Sequence, residues 1–541
     1  MQTNPWWRGA VIYQVYPRSL MDSNADGIGD LPGIIEKLDY IASLGVDAIW
    51  VSPFFKSPMK DFGYDISDYR DVDPLFGTLE DLDRLIEQAH ARDIKIIIDQ
   101  VLSHTSDQHA WFEESRQCRN NPKADWYVWA DPREDGTPPN NWLSIFGGCA
   151  WEWEPRREQY YLHNFLKSQP DLNFHNPEVQ AEILDEVEFW LKRGIDGLRL
   201  DAITFCFHDQ LLRDNPAKPK EERKGRGFTE DNPYAFQYHY FNNERPENIA
   251  FLESLRKLLD RYPGAVSLGE ISSEDSLATM AEYTRGQSRL HMAYSFELLV
   301  ETFSTDYIRE TVETLENGLG EGWPCWSIGN HDVVRVMSRW GGKDKPDELA
   351  KLFNAMMLSL RGSVCSYQGE ELALTEAEIA KEDLQDPYGI TFWPRFKGRD
   401  GCRTPMPWQR DAQNAGFSSA SNTWLPVPEA HRARAVDVQD QSADSVLNAY
   451  RQFMRWRKTQ PALRLGSIAF QRTPEGLLQF VREHNADRVL VVMNFTEKAV
   501  KSQVEGLSIQ SQLSGHGFPA AALQGDHLEL EPYSAAYFSL S

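Results

Sequence analysis

The chain has 541 residues, several times the usual size of a domain, and its length allows one large domain with appendages. Its formal net charge of −25 predicts an acidic surface that repels phosphate backbones, which excludes nucleic acid as a partner. The sequence does not open on a basic segment followed by an apolar stretch, and it contains no run of about 18 apolar residues, so we expect a cytoplasmic protein with no membrane partner.

Eight short β-rich runs alternate with helical patterns in the first part of the chain. The predicted strands are 11–16, 48–52, 95–100, 197–201, 266–270, 292–296, 325–328 and 363–367. Between the fourth strand and the one before it lies the clearest helix, Pro177–Arg193, with Asn176 as a capping residue and Gly194 at its end. This alternation is typical of a parallel sheet with crossover helices, and eight units predict an α/β fold of the (β/α)8 or TIM-barrel type.

Two long stretches interrupt this alternation. Residues 103–174 exceed the length of a βα loop and predict an inserted domain after strand 3, and a second excursion at about 370–444 follows strand 8. After residue 463, short alternating runs separated by turn residues predict an antiparallel β domain. We therefore predict a catalytic barrel over 1–103 and 175–460, an inserted domain over 104–174 and a C-terminal β domain over 461–541.

Acidic residues stand at the ends of three predicted strands. Asp201 ends strand 4 with Arg199 two residues earlier on the same face, Glu270 ends strand 5, and Asp332 follows strand 7. Because the carboxyl ends of barrel strands form the active-site mouth, we expect these three carboxylates to converge. Their mutual repulsion is acceptable where acid/base chemistry needs separated pKa values. The alternative is that each acid is only a surface cap or a core ion pair.

Cleavage of a glycosidic bond requires one carboxylate that attacks the anomeric carbon and one protonated carboxyl that releases the leaving oxygen. Arg199 should keep the pKa of Asp201 low, so that an ionised Asp201 is suited to be the nucleophile. Glu270 is followed by apolar Ile271 and has no adjacent cation in sequence. It is therefore the candidate for a raised pKa and for the role of general acid/base.

Several segments together resemble the α-amylase superfamily, glycoside hydrolase family 13. DQVLSH (99–104), GLRLDAI (197–203), GEIS (269–272) and IGNHD (328–332) resemble its four signature segments in the right order. QPDLN (169–173), GRDGCRTPMPW (398–408) and WWRGAVIYQVYPRS (6–19) are similar to elements of its α-glucosidase and oligo-1,6-glucosidase subgroup. The resemblance covers essentially the whole chain. It implies a retaining mechanism, an inserted domain after strand 3 and a C-terminal antiparallel β-sandwich.

The resemblance also implies site residues. It gives the catalytic roles to Asp201, Glu270 and Asp332, with Asp332 holding the 2- and 3-hydroxyls of the sugar. The residues that match the glucose pocket are Tyr64, His104, Arg199 and His331 along its sides, Asp61 and Arg399 at its far end, and Phe165 as an aromatic wall. Ser103 departs from the family, which usually has Asn before the histidine, so we infer no metal there. Alanine or threonine at position 202 accompanies α-1,4 specificity in the subgroup, whereas valine accompanies α-1,6.

The segment DSNADGIGD (22–30) has acidic or amide oxygens at alternate positions, as loops for hard cations do. It begins like an EF-hand, but Gly33 stands where that motif has a bidentate glutamate. In the subgroup the equivalent loop resembles a structural Ca²⁺ site, with ligands that match Asp22, Asn24, Asp26, Asp30 and the carbonyl of Ile28. The alternative is an Asx-turn loop without an ion. No organic cofactor is expected, because GIGDLPG (27–33) lacks the spacing of a dinucleotide motif.

The implied activity is that of an exo-acting α-glucosidase that hydrolyses short, maltose-like α-glucosides through a covalent glucosyl-enzyme intermediate. Transfer to sugar or alcohol acceptors should accompany hydrolysis. A sucrose or trehalose isomerase of the same family, with a sugar acceptor in place of water, is the near alternative. A non-catalytic sugar-binding relative is the remote one, disfavoured because all three acids are present. We expect a monomer or homodimer.

Overall fold

The computed structural model describes residues 4–223, 232–341, 346–504 and 506–541. Eight parallel strands form its centre: β1 Val11–Val15, β2 Ala48–Val51, β3 Lys95–Val101, β4 Gly197–Asp201, β5 Val266–Ile271, β6 Met292–Ser295, β7 Cys325–Trp326 and β8 Ser363–Tyr367. Their order in the sheet is β6-β5-β4-β3-β2-β1-β8-β7, and a parallel bridge between Ala293 and Pro324 joins the two edges. The sheet therefore closes into the predicted (β/α)8 barrel, and the fold class is confirmed.

Helices surround the barrel. Pro177–Arg193 begins at Asn176, whose side chain accepts a hydrogen bond from the N–H of Glu178, and it ends at Gly194 in the left-handed conformation, with φ of 99°. The other α-helices of this part of the chain are Pro17–Leu20, Leu31–Glu36, Leu38–Leu44, Leu79–His90, Asn248–Leu259, Ser276–Tyr283, Thr305–Leu319, Asp347–Ser359, Pro387–Phe392, Glu429–Arg432, Val436–Asp440, Val446–Lys458 and Pro461–Leu465.

The barrel interior is filled by side chains from its own strands. Ile12, Trp50, Ile97, Leu268 and Met292 belong to one buried cluster and are at most 1% exposed. Full burial of an aliphatic side chain of this size stabilises the fold by about 1.5–3 kcal/mol. The barrel is therefore a packed core, and a pocket for a ligand has to be built at the rim.

The chain between β3 and the helix Pro177–Arg193 leaves the barrel. It contains the helix Ala110–Ser115 and a three-stranded antiparallel sheet of Trp129–Ala130, Trp151–Glu154 and Gln159–Leu162. An antiparallel bridge between His104 and Asp171 brings the two ends of this excursion together. The segment therefore returns to the rim at the carboxyl ends of the strands.

The C-terminal region forms two antiparallel sheets. Ser467–Gln471, Leu477–His484, Asp487–Asn494, Ile509–Gln512 and Ser534–Leu540 make one, and Val500–Gln503, Ala522–Gln524 and His527–Leu530 make the other. Leu490 and Phe538 from the first sheet share a buried cluster with Leu528 and Leu530 from the second. The sheets thus pack face to face. Across the described ranges, no helix is long and apolar enough to cross a membrane.

Candidate active site

A pocket of about 820 Å³ opens at the carboxyl ends of the barrel strands. Eight of the predicted site residues line it: Asp61, Tyr64, His104, Phe165, Asp201, Glu270, Asp332 and Arg399. Arg199 and His331 lie behind this lining and are at most 1% exposed. The fold thus gathers in one place ten residues that are spread over more than 330 positions of the sequence.

One buried guanidinium connects three carboxylates. Nη1 of Arg199 lies 2.8 Å from Oδ1 of Asp99 and 2.7 Å from Oδ1 of Asp201, and its Nη2 lies 2.6 Å from Oε1 of Glu270. Arg199 and Asp201 share a face because they are two residues apart on β4, and Asp99 is the β3 partner of Arg199 in the sheet. A single positive charge therefore faces three negative ones.

This imbalance raises the pKa values of the cluster toward neutral pH. Burial raises the pKa of Asp201 to about 7, because Arg199 offsets only part of that effect and Asp99 adds to it. Burial likewise raises the pKa of Glu270 to about 7, against the influence of Arg199. The raised pKa of Glu270 agrees with the sequence prediction. The predicted low pKa of Asp201 is wrong, because Arg199 is shared and the site is fully desolvated.

Asp332 is in a different electrostatic environment. Its Oδ1 lies 3.1 Å from Nη1 of Arg399 and 3.0 Å from Nη2 of Arg403. Burial alone would raise the pKa of Asp332, yet it lies well below its usual range because the neighbouring His331, Arg399 and Arg403 favour the carboxylate. Burial lowers the pKa of His331 to about 3, so at neutral pH the two arginines provide this effect. Asp332 therefore stays ionised.

Tyr64 and His331 form a stacked pair at the side of the pocket, with ring centroids 5.4 Å apart. The Tyr64 hydroxyl donates to Oδ2 of Asp99 over 3.0 Å and lies 2.6 Å from Nε2 of His331. Gln14 places its amide nitrogen 2.7 Å from Nδ1 of His331. With the Gln14 amide in this orientation, Nδ1 of His331 accepts a hydrogen bond and the proton of the neutral ring is on Nε2. Both nitrogens of the ring are therefore hydrogen-bonded, which holds His331 in place against Tyr64.

A set of ion pairs closes the far end of the pocket. Nη2 of Arg399 lies 2.9 Å from Oδ1 of Asp61 and 2.8 Å from Oδ1 of Asp386. Gln169 donates to Oδ2 of Asp61 over 3.0 Å. Arg399 thus links Asp61 to Asp332 across the rim of the pocket.

Neutral and aromatic groups complete the lining. Burial lowers the pKa of His104 to about 4, so it is uncharged at neutral pH, and its ring lies 4.9 Å from that of Phe165. The sequence analysis did not identify the other ring-bearing residues of the lining, which are Phe146, Phe205, Phe296 and Tyr388. Phe205, Phe296 and Tyr388 lie in short helices and Phe146 lies in a turn, and no spacing pattern along the sequence connects them.

The structure also adds charged residues that the sequence analysis did not assign to the site. Asp99 and Arg403 belong to the segments 99–104 and 398–408, which carry the family resemblance. Their positions in these segments are the sequence signal that would have found them. Asp386 is fully buried and accepts hydrogen bonds from the N–H and the side chain of Arg399. It lies in the excursion after β8, where no motif singles it out.

The predicted calcium loop is built from Asx turns. Oδ1 of Asp22 accepts from the N–H of Asn24 over 3.0 Å, Oδ1 of Asn24 from that of Asp26 over 3.0 Å, and Oδ1 of Asp26 from that of Ile28 over 2.8 Å. Asp30 caps the helix Leu31–Glu36. Within the part of the chain that the structure describes, no three Asp, Glu, His or Cys side chains gather closely enough to hold a metal. Calcium binding at Asp22, Asn24, Asp26, Ile28 and Asp30 stays a prediction.

Known proteins resemble this chain along its whole length. The family model for the alpha amylase catalytic domain matches residues 14–466, and that for the maltogenic amylase C-terminal domain matches residues 469–536. A probable alpha-glucosidase of Rhizobium meliloti (strain 1021) is 53% identical, over 99% of this chain and 97% of its own length.

Solved structures give the same result. The alpha-glucosyl transfer enzyme XgtA is 66% identical with a TM-score of 0.98, and both chains are covered to 100%. The trehalulose synthase MutB of Pseudomonas mesoacidophila MX-45 is 32% identical with a TM-score of 0.88, over 99% of this chain and 100% of its own. Because the catalytic-domain match covers well over half of the chain, this protein belongs to the α-amylase family of enzymes, glycoside hydrolase family 13.

Proposed function

We propose that this enzyme is a retaining, exo-acting α-glucosidase that removes glucose from the non-reducing end of short α-glucosides and passes it to water or to a sugar or alcohol acceptor. The observation that carries the proposal is the single pocket that Asp201, Glu270 and Asp332 line together. The names of the relatives support it, since one is a probable alpha-glucosidase and another an alpha-glucosyl transfer enzyme.

The reaction has two steps. In the first, a carboxylate oxygen of Asp201 attacks the anomeric carbon, the glycosidic carbon–oxygen bond breaks, and Glu270 gives its proton to the leaving oxygen. In the second, Glu270 takes a proton from water or an acceptor hydroxyl, whose oxygen attacks the same carbon and releases Asp201. The two inversions leave the α configuration unchanged. Asp332, which stays ionised between two arginines, is suited to hold the 2- and 3-hydroxyls.

The contacts of Arg199 support a retaining mechanism. Both Asp201 and Glu270 touch its guanidinium, at 2.7 and 2.6 Å. Retaining pairs have carboxyl groups about 5–5.5 Å apart, whereas inverting pairs stand about 6.5–9.5 Å apart to leave room for a water molecule. Two carboxylates that share one guanidinium favour the closer spacing.

The end wall supports the exo mode of action. Arg399 is held by Asp61 and by Asp386, and each of these three side chains is at most 10% exposed. A longer chain cannot pass through a wall of buried ion pairs without separating them, and breaking a buried pair costs about 3–5 kcal/mol. The terminal sugar of a substrate should therefore lie against this wall, with its leaving group toward the mouth.

The linkage that we propose is α-1,4. Ala202 lines the pocket next to the nucleophile, and its N–H donates to Oε2 of Glu270 over 3.1 Å. Its side chain is therefore close to the bond that breaks. A methyl group there leaves room for the acceptor sugar of a maltose-like substrate.

The balance between hydrolysis and transfer defines the second candidate function, a sucrose or trehalose isomerase. The similarity to isomaltulose and trehalulose synthases, at 32% identity and TM-scores of 0.88–0.89, supports that alternative. The three carboxylates in the pocket disfavour a non-catalytic role. The two functions share the first step and differ in the group that attacks the intermediate. Product analysis on maltose and on sucrose separates them, because only an isomerase returns a disaccharide isomer as its main product.

A structural Ca²⁺ at the loop of Asp22–Asp30 is a separate proposal. The support is the family resemblance and the alternate placing of oxygen-bearing side chains, of which Asn24 and Asp26 each accept one turn hydrogen bond and keep further lone pairs. Asp22 accepts from the N–H groups of Asn24, Ala25 and Gly27, so an ion would displace part of this set. Asp22 also accepts from the Ser418 hydroxyl over 2.5 Å. An ion at this loop would link it to the excursion after β8 and would take no part in bond cleavage.

The proposed activity is tested with Asp201→Asn. The amide cannot attack or carry the glucosyl group, so turnover of maltose should be abolished while the circular dichroism spectrum is unchanged. Asp185→Asn is the matched control, because Asp185 forms only an exposed ion pair with Arg70 and should keep its rate. An Asp201→Asn rate within about tenfold of wild type, a barrier change of only about 1.4 kcal/mol, contradicts the assignment. Initial release of β-glucose from wild type contradicts retention.

A further inference from the structure

Tyr294 makes three polar contacts beside the proposed acid/base but does not line the pocket. It lies on β6 directly opposite Glu270 in the sheet register, and its ring is 1% exposed. Its hydroxyl oxygen lies 3.2 Å from Nε and 2.8 Å from Nη2 of Arg199, and 3.1 Å from Oε1 of Glu270. The reaction scheme above gives this hydroxyl no role.

The directions of these hydrogen bonds are fixed by chemistry. Arginine has only donors, so Arg199 donates to the Tyr294 oxygen through Nε and Nη2. The hydroxyl has a single proton, and the remaining neighbour, Oε1 of Glu270, is an acceptor. Tyr294 therefore donates to Oε1, which also faces Nη2 of Arg199 at 2.6 Å.

The two oxygens of Glu270 are thus unequal. Oε1 faces two donors, whereas among the described residues Oε2 accepts a hydrogen bond from the N–H of Ala202 alone, at 3.1 Å. A carboxyl proton on Oε1 would meet the Tyr294 proton and the guanidinium, so it is favoured on Oε2. Resting on the proposed acid/base role of Glu270, we infer that Tyr294 is a positioning residue that keeps Oε1 as an acceptor and confines the exchangeable proton to Oε2.

Removal of the hydroxyl should affect Glu270 in two ways. A donor to a carboxylate stabilises the ionised form, so the pKa of Glu270 should rise when the donor is lost. The proton also gains access to Oε1, from which it does not reach the leaving oxygen. The charged and titratable groups that face Glu270 from the neighbouring elements remain in place: Asp99 on β3, Arg199 and Asp201 on β4, and Asp332 after β7.

The variant for the test is Tyr294→Phe, which keeps the ring and its contact with Trp50 at 6.1 Å. We expect the alkaline limb of the kcat/KM profile for maltose to move up by about one pH unit, the shift that loss of one hydrogen bond to a charged group produces. We expect kcat at neutral pH to fall about tenfold with little change in KM, because Tyr294 does not line the pocket. An activated aryl glucoside should lose less, since its departure needs little protonation.

Tyr13→Phe is the matched control. Tyr13 is also a fully buried barrel tyrosine whose hydroxyl donates to a buried carboxylate, Oε1 of Glu371, over 2.7 Å, away from the pocket. It should lower the melting temperature without moving the pH profile. Superimposable profiles of Tyr294→Phe and wild type overturn the inference, and so do parallel losses of stability and activity in the two variants. Glu270→Gln with an undiminished maltose rate would instead refute the proposed role of Glu270, which keeps the two failures distinct.

Discussion

Ala202→Val changes the residue between the nucleophile and the acid/base, and the structure gives two separate consequences for it. Ala202 has φ of 42° and ψ of 39°, in the left-handed region where a β-branched side chain is strained. Its N–H donates to Oε2 of Glu270, and the residue lines the pocket. Valine therefore adds backbone strain, and it also adds two methyl groups beside the bond that breaks.

The magnitudes separate the two consequences. A strained left-handed residue costs about 1–3 kcal/mol of folding free energy, and this loss should appear in the melting temperature. One or two extra carbons in a pocket discriminate between substrates by about 1–3 kcal/mol, or roughly 10–200-fold in kcat/KM. Strain lowers all activities together, so the ratio of the rates for maltose and isomaltose isolates the effect on linkage. We expect the ratio to favour maltose in wild type and to fall or reverse in Ala202→Val.

The assay is kcat/KM on both disaccharides, with thermal unfolding of each variant. Ala202→Thr carries the same branch and the same strain, so it distinguishes crowding from polarity. A ratio like that of valine indicates crowding, and a ratio like that of alanine agrees with the family pattern. Ala202→Gly relieves the strain without adding bulk and should keep the preference for maltose. A valine variant with a lower melting temperature and an unaltered ratio would refute the linkage argument.

Three further predictions follow from the charges of the site. Glu270→Gln should lower kcat/KM for maltose far more than for an activated aryl glucoside, and equal losses would argue against an acid role. At pH 8 the free energy of unfolding of Asp201→Asn should exceed that of wild type by about 1–3 kcal/mol. The pKa of Asp201 is about 3.9 in the unfolded chain and about 7 in the folded one, so wild type loses stability as the pH rises through this range and the asparagine variant does not. Urea titrations should show this gain vanishing at pH 4, and a gain that is independent of pH contradicts the reasoning. Chelation should lower the melting temperature of wild type but not that of Asp22→Ala if Ca²⁺ occupies the loop, whereas an unchanged wild-type value for metal-free protein removes that proposal.

The barrel and the meeting of its acids could be predicted from the sequence because both follow from local pattern and from one rule of the fold. All eight predicted strands occur, although β7 is only Cys325–Trp326 where four residues were expected. Parallel strands bring their carboxyl ends to one rim, so Asp201 and Glu270 had to lie near each other once the strands were assigned. The positions of the strand ends are therefore enough to predict that these two carboxylates meet.

Other features depend on contacts between distant parts of the chain. Arg399 pairs with Asp61 across more than 300 residues and also with Asp386, and the segment that carries Asp386 has no periodic pattern. The left-handed conformation of Ala202 is equally hidden, since alanine has no preference for positive φ. The pKa of Asp201 was misjudged for the same reason, because the sequence shows the neighbouring Arg199 but not the other carboxylates that share it.

In the proposed mechanism, this sharing allows one site to hold an ionised nucleophile and a protonated acid at neutral pH. Asp99, Asp201 and Glu270 have one guanidinium between them, so the fully ionised cluster has a net charge of −2 and takes up a proton readily. Asp332 does not compete for that proton, because Arg399 and Arg403 keep it ionised. Burial raises the pKa values of Asp201 and Glu270 to about 7, so the two groups titrate as a pair in the same pH range. A glycosidic oxygen that accepts a hydrogen bond from Glu270 shifts the proton there, and Asp201 becomes ionised in the same event. The substrate therefore completes the separation of acid from nucleophile, and the cluster supplies one proton for the two groups to share.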